Sequence, residues 1–457
     1  MTLASDPSLA AAVAALYEAA NRRVDPIGGI LLAVSGGADS LALLLAAAVF
    51  RKSLGAASPD IRVATVDHGL RADSVAEAAF VATIAARCDL PHETLRWNGW
   101  DGTGNLSGKA RDARYGLLLD YARANDLGLV LVAHHRDDDI ETSLIRKTNG
   151  ADLLGRAAMR PLRSLAPDVL LGRPFLDLPR HRLASAVRAE GVSPVDDPSN
   201  RDPRYHRARI RLALVGDAGL SESAMRDLSR AKRWRQRGEE ALATFIEDLE
   251  ARGHLSFVRD GTVVLARSTF AGISERCAVQ LLSRAVVAAS GRALPPARAA
   301  VHDIVKSMGK RETTTTGARS LAGALVSIGE SEVTLIRELG RDGISALPLG
   351  NVMPLRSGFA AGMAFPIVFD GRFVVDAGPW VRLAGAQLVA LEAFGLGGRH
   401  MRSLPVVVDK VGQPLAAIGP AAARLGPWVA PLEFRLLTPH LFKHDLPFAR
   451  RQTPSSP

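Results

Sequence analysis

From Gly29 to about Leu214 the chain alternates short β-rich runs with longer helical patterns, and this alternation constrains the fold more than any other feature. Parallel strands need long crossovers, so the pattern predicts βαβ units. The expected class is α/β, an open parallel sheet with helices on both faces. The expected strands are Ile30–Val34, Ile61–Val66, Glu93–Trp97 and Leu129–Ala133. Helices Asp39–Phe50, Ser74–Arg87, Ser107–Asn125 and Asp137–Lys147 fill the gaps. The first and last strands are nearly continuous apolar runs, as strands buried on both faces should be. Residues 1–23 read as an ordinary helix, because Asp6 precedes the apolar part and Glu18, Arg22 and Arg23 follow it, the wrong charge order for a secretory signal.

After Arg211 the character changes. Ser221–Arg252 reads as one long helix carrying Arg226, Arg230, Lys232, Arg233, Arg235 and Arg237. Leu255–Val258 and Val263–Ala266 flank Asp260-Gly261, the signature of a tight hairpin, and a helical pattern follows at Glu275–Ala289. Gly and Pro become dense over 338–360, ahead of short strands at Phe365–Phe369 and Phe373–Val375. The expected division is a catalytic domain over 1–215, with two smaller mixed α/β appendages. These are a basic helical and mixed domain over 216–340 and a β-containing domain over 341–457.

Charge then narrows the partner. The 57 basic and 47 acidic residues leave a net charge of +10 and a pI near 10.1, which points to an acidic partner, most commonly nucleic acid. A generally basic soluble protein is the alternative. Only Cys88 and Cys277 are present, in no paired spacing, so there is no zinc ribbon, iron–sulfur motif or disulfide framework, which suits a reducing cytoplasm. The longest apolar run, Leu41–Phe50, falls short of the ~18 residues a membrane span needs.

Directly after the first strand stands Ser35-Gly36-Gly37-Ala38-Asp39-Ser40, where a helix begins. Adjacent glycines expose backbone N–H groups, the serines add donors, and the helix N-terminus adds unsatisfied amides, so the loop suits a phosphate. It lacks the Lys of a Walker A loop and the spacing of a dinucleotide-binding loop. Asp39 could otherwise be a plain helix cap. The loop resembles the pyrophosphate loop of the ATP pyrophosphatases, which cleave ATP between the α- and β-phosphates to adenylate a substrate. That resemblance implies that Ser35, Gly36, Gly37, Ala38, Asp39 and Ser40 hold ATP and that Asp39 lies near Mg2+.

Four further blocks follow. Val66-Asp67-His68-Gly69-Leu70-Arg71 ends the second strand at the carboxyl edge, where a nucleotide base could lie against Asp67 and His68, or where Gly69 could serve a simple turn. Asn105-Leu106, Ala110-Arg111 and Ala113-Arg114-Tyr115 put Arg111 and Arg114 on one helix face, suited to phosphate or carboxylate or else merely exposed. The fourth strand runs into Ala133-His134-His135-Arg136-Asp137-Asp138-Asp139-Ile140-Glu141-Thr142, an acidic helix start that could bind an amine or simply favour the helix dipole. His134 and His135 make a poor metal pair, because neighbours on a strand point to opposite faces. Last come Asp197-Pro198-Ser199-Asn200, Asp202, Tyr205, Arg207, Arg209 and Arg211, a polar turn and alternating bases that suit an RNA backbone or a solvated face.

In this order the five blocks, over roughly residues 29–214, resemble the tRNA(Ile)-lysidine synthases. The resemblance implies a carbon–nitrogen ligase of the cytoplasm, soluble and not membrane-bound, whose partners are ATP, Mg2+, L-lysine and a tRNA(Ile) with a CAU anticodon. ATP adenylates the C2 oxygen of the wobble cytidine, lysine displaces AMP, and the lysidine formed shifts decoding from AUG to AUA. It implies catalytic roles for Asp39, Arg111, Asp137, Asp138 and Glu141, and tRNA contacts for Arg114, Asn200, Arg207, Arg209 and Arg211. On chemical grounds Asp137, Asp138 and Glu141 suit the lysine amines, one of them accepting a proton, and Arg111 suits the lysine carboxylate or the cytidine. Three positions depart from the family pattern: Gly150-Ala151-Asp152 stands for Gly-Ser-Gly, Asp139 for Gln, and Ala208 for an Asn. The alternatives are a tRNA thiolase, an amidating pyrophosphatase, and an RNA-binding protein that has kept the fold without the chemistry.

Overall fold

The computed structural model describes residues 6–443 except 24–26, 70–72, 98–102, 104–105, 196–205, 293, 309–317, 342 and 357. Two compact units divide it, Met1–Glu239 and Glu240–Pro457.

In the first unit the elements run α1 (Pro7–Asn21), β1 (Gly29–Ala33), α2 (Ala38–Leu54), β2 (Asp60–Asp67), α3 (Ser74–Arg87), β3 (His92–Arg96), α4 (Leu106–Ala124), β4 (Leu129–Leu131) and α5 (Arg136–Thr148). Then come β5 (Leu162–Ala166), β6 (Val169–Gly172), α6 (Arg180–Ala189), α7 (His206–Gly216) and α8 (Ala218–Ala251). The sheet order is β3-β2-β1-β4-β6-β5, parallel except for β5, which runs antiparallel to β6 at the edge. The expected α/β class, strands and crossover helices are all present. The β5–β6 hairpin and α6 are additions that the sequence reading did not contain.

Strand periodicity distributes the core over both faces. Ile30 and Leu32 join the cluster around α1, α2 and α6, whereas Leu31 between them joins Tyr115, Leu118 and Ala122 of α4 on the other face. β4 repeats the pattern, with Leu129 and Leu131 on the first face and Val130 on the second. Each fully buried leucine contributes about 2 kcal/mol, and α2 alone buries Leu41, Leu43, Leu44 and Leu45. That helix and the turn after it, Ala38–Ala57, are long and apolar enough to cross a bilayer, but more than half of the stretch is buried in the protein core.

The chain leaves β1, adds β2 and β3 on one side, then crosses to place β4 on the other, with Leu32 opposite Leu131. This reversal opens a crevice at the carboxyl ends of β1 and β4, the place where open α/β sheets bind ligands.

The second unit begins within α8. β7 (Leu255–Phe257) and β8 (Val263–Ala266) form the expected hairpin, with Gly261 at φ +85°. They continue an antiparallel sheet of order β7-β8-β11-β10-β9, in which β9 is Arg319–Leu321, β10 Ala324–Ile328 and β11 Glu332–Arg337. Helices α9 (Glu275–Ser290) and α10 (Arg298–Met308) share its core. Between 347 and 436 lie a five-stranded and a three-stranded sheet, the latter containing Pro366–Phe369 and Phe373–Asp376.

Candidate active site

The loop after β1 is braced from within. Ser35 N–H donates to Ser40 Oγ at 3.1 Å, and Ser40 Oγ donates to the Gly37 carbonyl at 2.9 Å. Only Gly36 has a conformation that requires glycine: its φ is +85°, and a Cβ there would sit 3.2 Å from Val195 Cγ2. Gly37 adopts an ordinary extended conformation, and a Cβ there would touch nothing closer than 4.0 Å, so the space beside its Cα is open. Among the described residues no side chain caps α2, which leaves its first amides for an anion.

Because β4 pairs with β1, the segment after β4 faces this loop. β4 ends at Leu131, so His134 and His135 lie beyond the strand, yet they still diverge. His135 is buried, with Nε2 3.5 Å from Asp39 Oδ2 and 3.5 Å from Asp138 Oδ2, and Nδ1 3.6 Å from Asp137 Oδ2. Burial alone would lower its pKa, but Asp137, Asp39 and Asp138 outweigh that and raise it to about 9. The Asp138 amide also points at Nδ1 from 3.4 Å, as for a neutral ring. That contact is long, and the surrounding carboxylates favour the imidazolium. Its hydrogen bond in turn holds the Asp137 carboxyl well below the usual carboxylate range, aided by the Arg180 N–H at 2.9 Å.

The acidic start of α5 is met by α7. Glu141, almost fully buried, accepts from Arg207 Nε and from Arg211 Nε, both at 2.7 Å. Asp138 Oδ1 accepts from Arg207 Nη2 at 3.0 Å. The bases that alternate along the sequence do not alternate in space, since α7 is helical: Arg207 and Arg211 share the face towards α5, and Arg209 lies on another. Asp137, half-exposed, is the α5 carboxylate most open to solvent among Asp137, Asp138 and Glu141. Asp139 turns the other way: it is fully buried, accepts from Met159 N–H at 2.7 Å and pairs with Lys232 of α8 at 2.7 Å.

Arg111 of α4 stacks on Tyr115, 5.2 Å from the ring centroid. Arg114 approaches His68 Nε2 at 3.4 Å, and the His68 ring sits edge-on to Trp97. Asp67 accepts the Gly69 N–H at 2.8 Å, which holds its carboxyl below the usual range. Burial lowers the His68 pKa, and its Nδ1 is buried without a hydrogen-bond partner among the described residues. Asn200 lies outside the described residues, as do Leu70, Arg71, Asn105 and 197–205.

Sequence reasoning gave His135 no role, and it passed over Arg163, Arg173 and Arg180. A histidine before an acidic helix start was the available signal for His135. The other three stand on elements that the sequence reading lacked. For Mg2+, Asp39 supplies a buried oxygen, Oδ1, with no hydrogen-bond partner among the described residues, while Oδ2 faces His135 and Arg180. No group of three or more metal-ligating side chains occurs among the described residues. The donors therefore fit an ion held by one carboxylate and by substrate phosphates, as Mg2+ commonly is.

Residues 8–218 match the PP-loop domain family ATP_bind_3. A tRNA(Ile)-lysidine synthase of Ruegeria pomeroyi is 38% identical over 80% of this chain and 80% of its own length. One of Rhodopseudomonas palustris is 35% identical over 67% of this chain and 90% of its own. One of Methylobacterium nodulans is 40% identical over 59% of this chain and 78% of its own.

Proposed function

The chain belongs to the tRNA(Ile)-lysidine synthase family, and from that premise we propose how its site makes lysidine. The enzyme uses ATP to ligate lysine to C2 of the wobble cytidine in the CAU anticodon of tRNA(Ile), releasing AMP and pyrophosphate. The observation that carries the reading is the meeting of the phosphate loop and the acidic start of α5 at one crevice, bridged by His135.

In the first step the cytidine C2 oxygen attacks the α-phosphorus of ATP and pyrophosphate leaves. The amides of Gly36 to Ser40 and the N-terminus of α2 take up the charge that develops on the leaving group. Asp39 would hold Mg2+, which supplies charge neutralisation at the phosphates when bound. Asp67 and His68 line the base of ATP.

In the second step a lysine amine attacks C2, and the C2–O bond breaks to release AMP. That amine is mostly protonated at neutral pH, with an unperturbed pKa of ~10.4, so it must first lose a proton. Asp137, the most open of the three, and Asp138 attract the lysine ammonium groups directly, Glu141 does so as Arg207 and Arg211 release it, and one of the three carboxylates accepts the proton. Arg111 faces the lysine carboxylate or the cytidine. Arg114, Asn200, Arg207, Arg209 and Arg211 contact the tRNA, and the segments 216–340 and 341–457 grip its body. The enzyme acts in the cytoplasm.

The test is incubation with ATP, Mg2+, labelled lysine and an unmodified CAU tRNA(Ile) transcript, with elongator tRNA(Met) as the control that shares the anticodon. Label on the isoleucine transcript alone, with stoichiometric AMP, is the expected result. RNA-dependent pyrophosphate release without label would show a different nucleophile.

A further inference from the structure

Beside the reacting centre lies a cluster of guanidinium groups with no acidic partner. Tyr115 is buried between Arg111 and Arg163, whose Cζ atoms stand 5.2 and 5.5 Å from its ring centroid. Arg173, itself buried, follows directly on β6 and donates from Nε to His134 Nδ1 at 3.3 Å and from Nη1 to the Arg160 carbonyl at 2.9 Å. Among the described residues none of these three arginines forms an ion pair with a carboxylate. Elsewhere in the same unit a buried guanidinium has its counter-charge, as Arg123 has in Asp168 at 2.8 Å.

Holding the buried Arg173 close to two further cations without an anion is costly. Burial pulls the Arg173 pKa down to about 10, with Arg163 and Arg111 adding to the effect. His134 is driven down to about 2 by burial and then by Arg173, Arg207 and Arg111, so its ring is neutral. Since its Nδ1 accepts from Arg173, its proton resides on Nε2, which makes it a further donor. The cluster is graded in depth: Arg111 is exposed, Arg163 half-buried and Arg173 buried.

The neighbouring residue has the opposite environment. His135 lies among Asp39, Asp137 and Asp138, so one backbone step separates a positive subsite from a negative one. A crevice divided in this way matches a molecule with a carboxylate at one end and ammonium groups elsewhere.

We propose that Arg111, Arg163 and Arg173, walled by Tyr115 and His134, form the subsite for the α-carboxylate of the amino-acid substrate. This deepens the lysine-ligation reading above and rests on it. Guanidinium groups suit a carboxylate because they can donate two parallel hydrogen bonds to its two oxygens.

The test compares kcat/KM for lysine with that for lysinamide, which keeps both amines and lacks the carboxylate. Wild type favours lysine, and R163Q lowers that preference by about tenfold or more, the loss typical of a charged hydrogen bond. R173Q behaves likewise, and R163K keeps part of the preference. The ratio is insensitive to the fraction of folded enzyme, because misfolding lowers both rates together. An unchanged ratio in R163Q and R163K overturns the proposal. So does a rise in KM for tRNA with no change in the ratio, which would assign the cluster to an RNA phosphodiester. A wild-type enzyme that ligates neither amine would instead overturn the parent reading.

Discussion

His135 Nε2 stands 3.5 Å from Asp39 Oδ2, so one buried imidazole joins the phosphate loop to the acidic helix start. In the proposed mechanism the loop serves adenylation and the helix start serves attack by the amine. A protonated His135 supplies a positive charge between Asp39, Asp137 and Asp138, which would otherwise repel one another. Replacing it with glutamine removes that charge and is expected to lower both tRNA-dependent pyrophosphate release and lysine incorporation by at least tenfold. Retention of either rate would separate the two half-reactions and remove His135 as their link.

The pH dependence of stability follows from the same group. Its folded pKa, about 9, is above the unfolded value of ~6.5. The stabilisation is therefore fully present below the unfolded pKa and is lost as pH rises through about 9. The Tm difference between wild type and H135Q should be largest near neutrality and below, then shrink at alkaline pH. A difference independent of pH would mean that the ring is neutral in the folded protein.

Gly36→Ala tests the cradle. The new Cβ would meet Val195 Cγ2 at 3.2 Å while the backbone holds φ +85°. Strain of about 1–2 kcal/mol is expected in the loop, with the KM for ATP raised more than the KM for tRNA. Gly37→Ala meets no clash and should be milder towards folding, so equal losses of Tm in the two variants would contradict the geometry.

Glu141→Gln leaves Arg207 and Arg211 without the carboxylate they share. Both arginines keep some access to water, so the cost in stability is about 2 kcal/mol rather than the full penalty of a buried orphan charge. Lysine incorporation should fall by about a hundredfold, the range of a lost acid–base group. Thermal unfolding and labelled-lysine incorporation measure the two effects, and unchanged turnover would take Glu141 out of the chemistry.

The sequence made the crossover pattern and the phosphate loop legible because both are local: β-rich runs, helix starts and a Ser-Gly-Gly turn are written in consecutive residues. The helix expected over Ser74–Arg87 coincides with α3 at both ends. The pairing of Arg207 and Arg211 with Glu141 was hidden, since it depends on α7 being helical and on contacts between residues far apart in the chain. The Arg163 and Arg173 cluster was hidden for a related reason. Leu162–Ala166 carries Arg163 and Ser164 in its middle and so shows no strand-like run, Val169–Gly172 is a four-residue apolar run that periodicity alone cannot distinguish from buried helix, and the edge strand is antiparallel.

One departure from the family pattern has a structural explanation. Asp139, one of the three positions where the sequence is expected to depart from that pattern, is fully buried, and its counter-charge is Lys232, which comes from α8 with Nζ 2.7 Å from Oδ2. Arg235, one turn further along that helix, donates to the carbonyls of Ala157 and Met159, so α8 is fastened to the segment after α5 at two places. Lys232→Met strands a buried carboxylate and should cost about 3 kcal/mol, whereas Asp139→Gln strands a lysine that can still turn towards Asp177 and should cost less. The double variant D139Q/K232M removes both charges, so its Tm should exceed that of K232M alone. Denaturant unfolding of the two single variants and the double variant measures the coupling, and additive losses would show that Asp139 and Lys232 do not act as a pair.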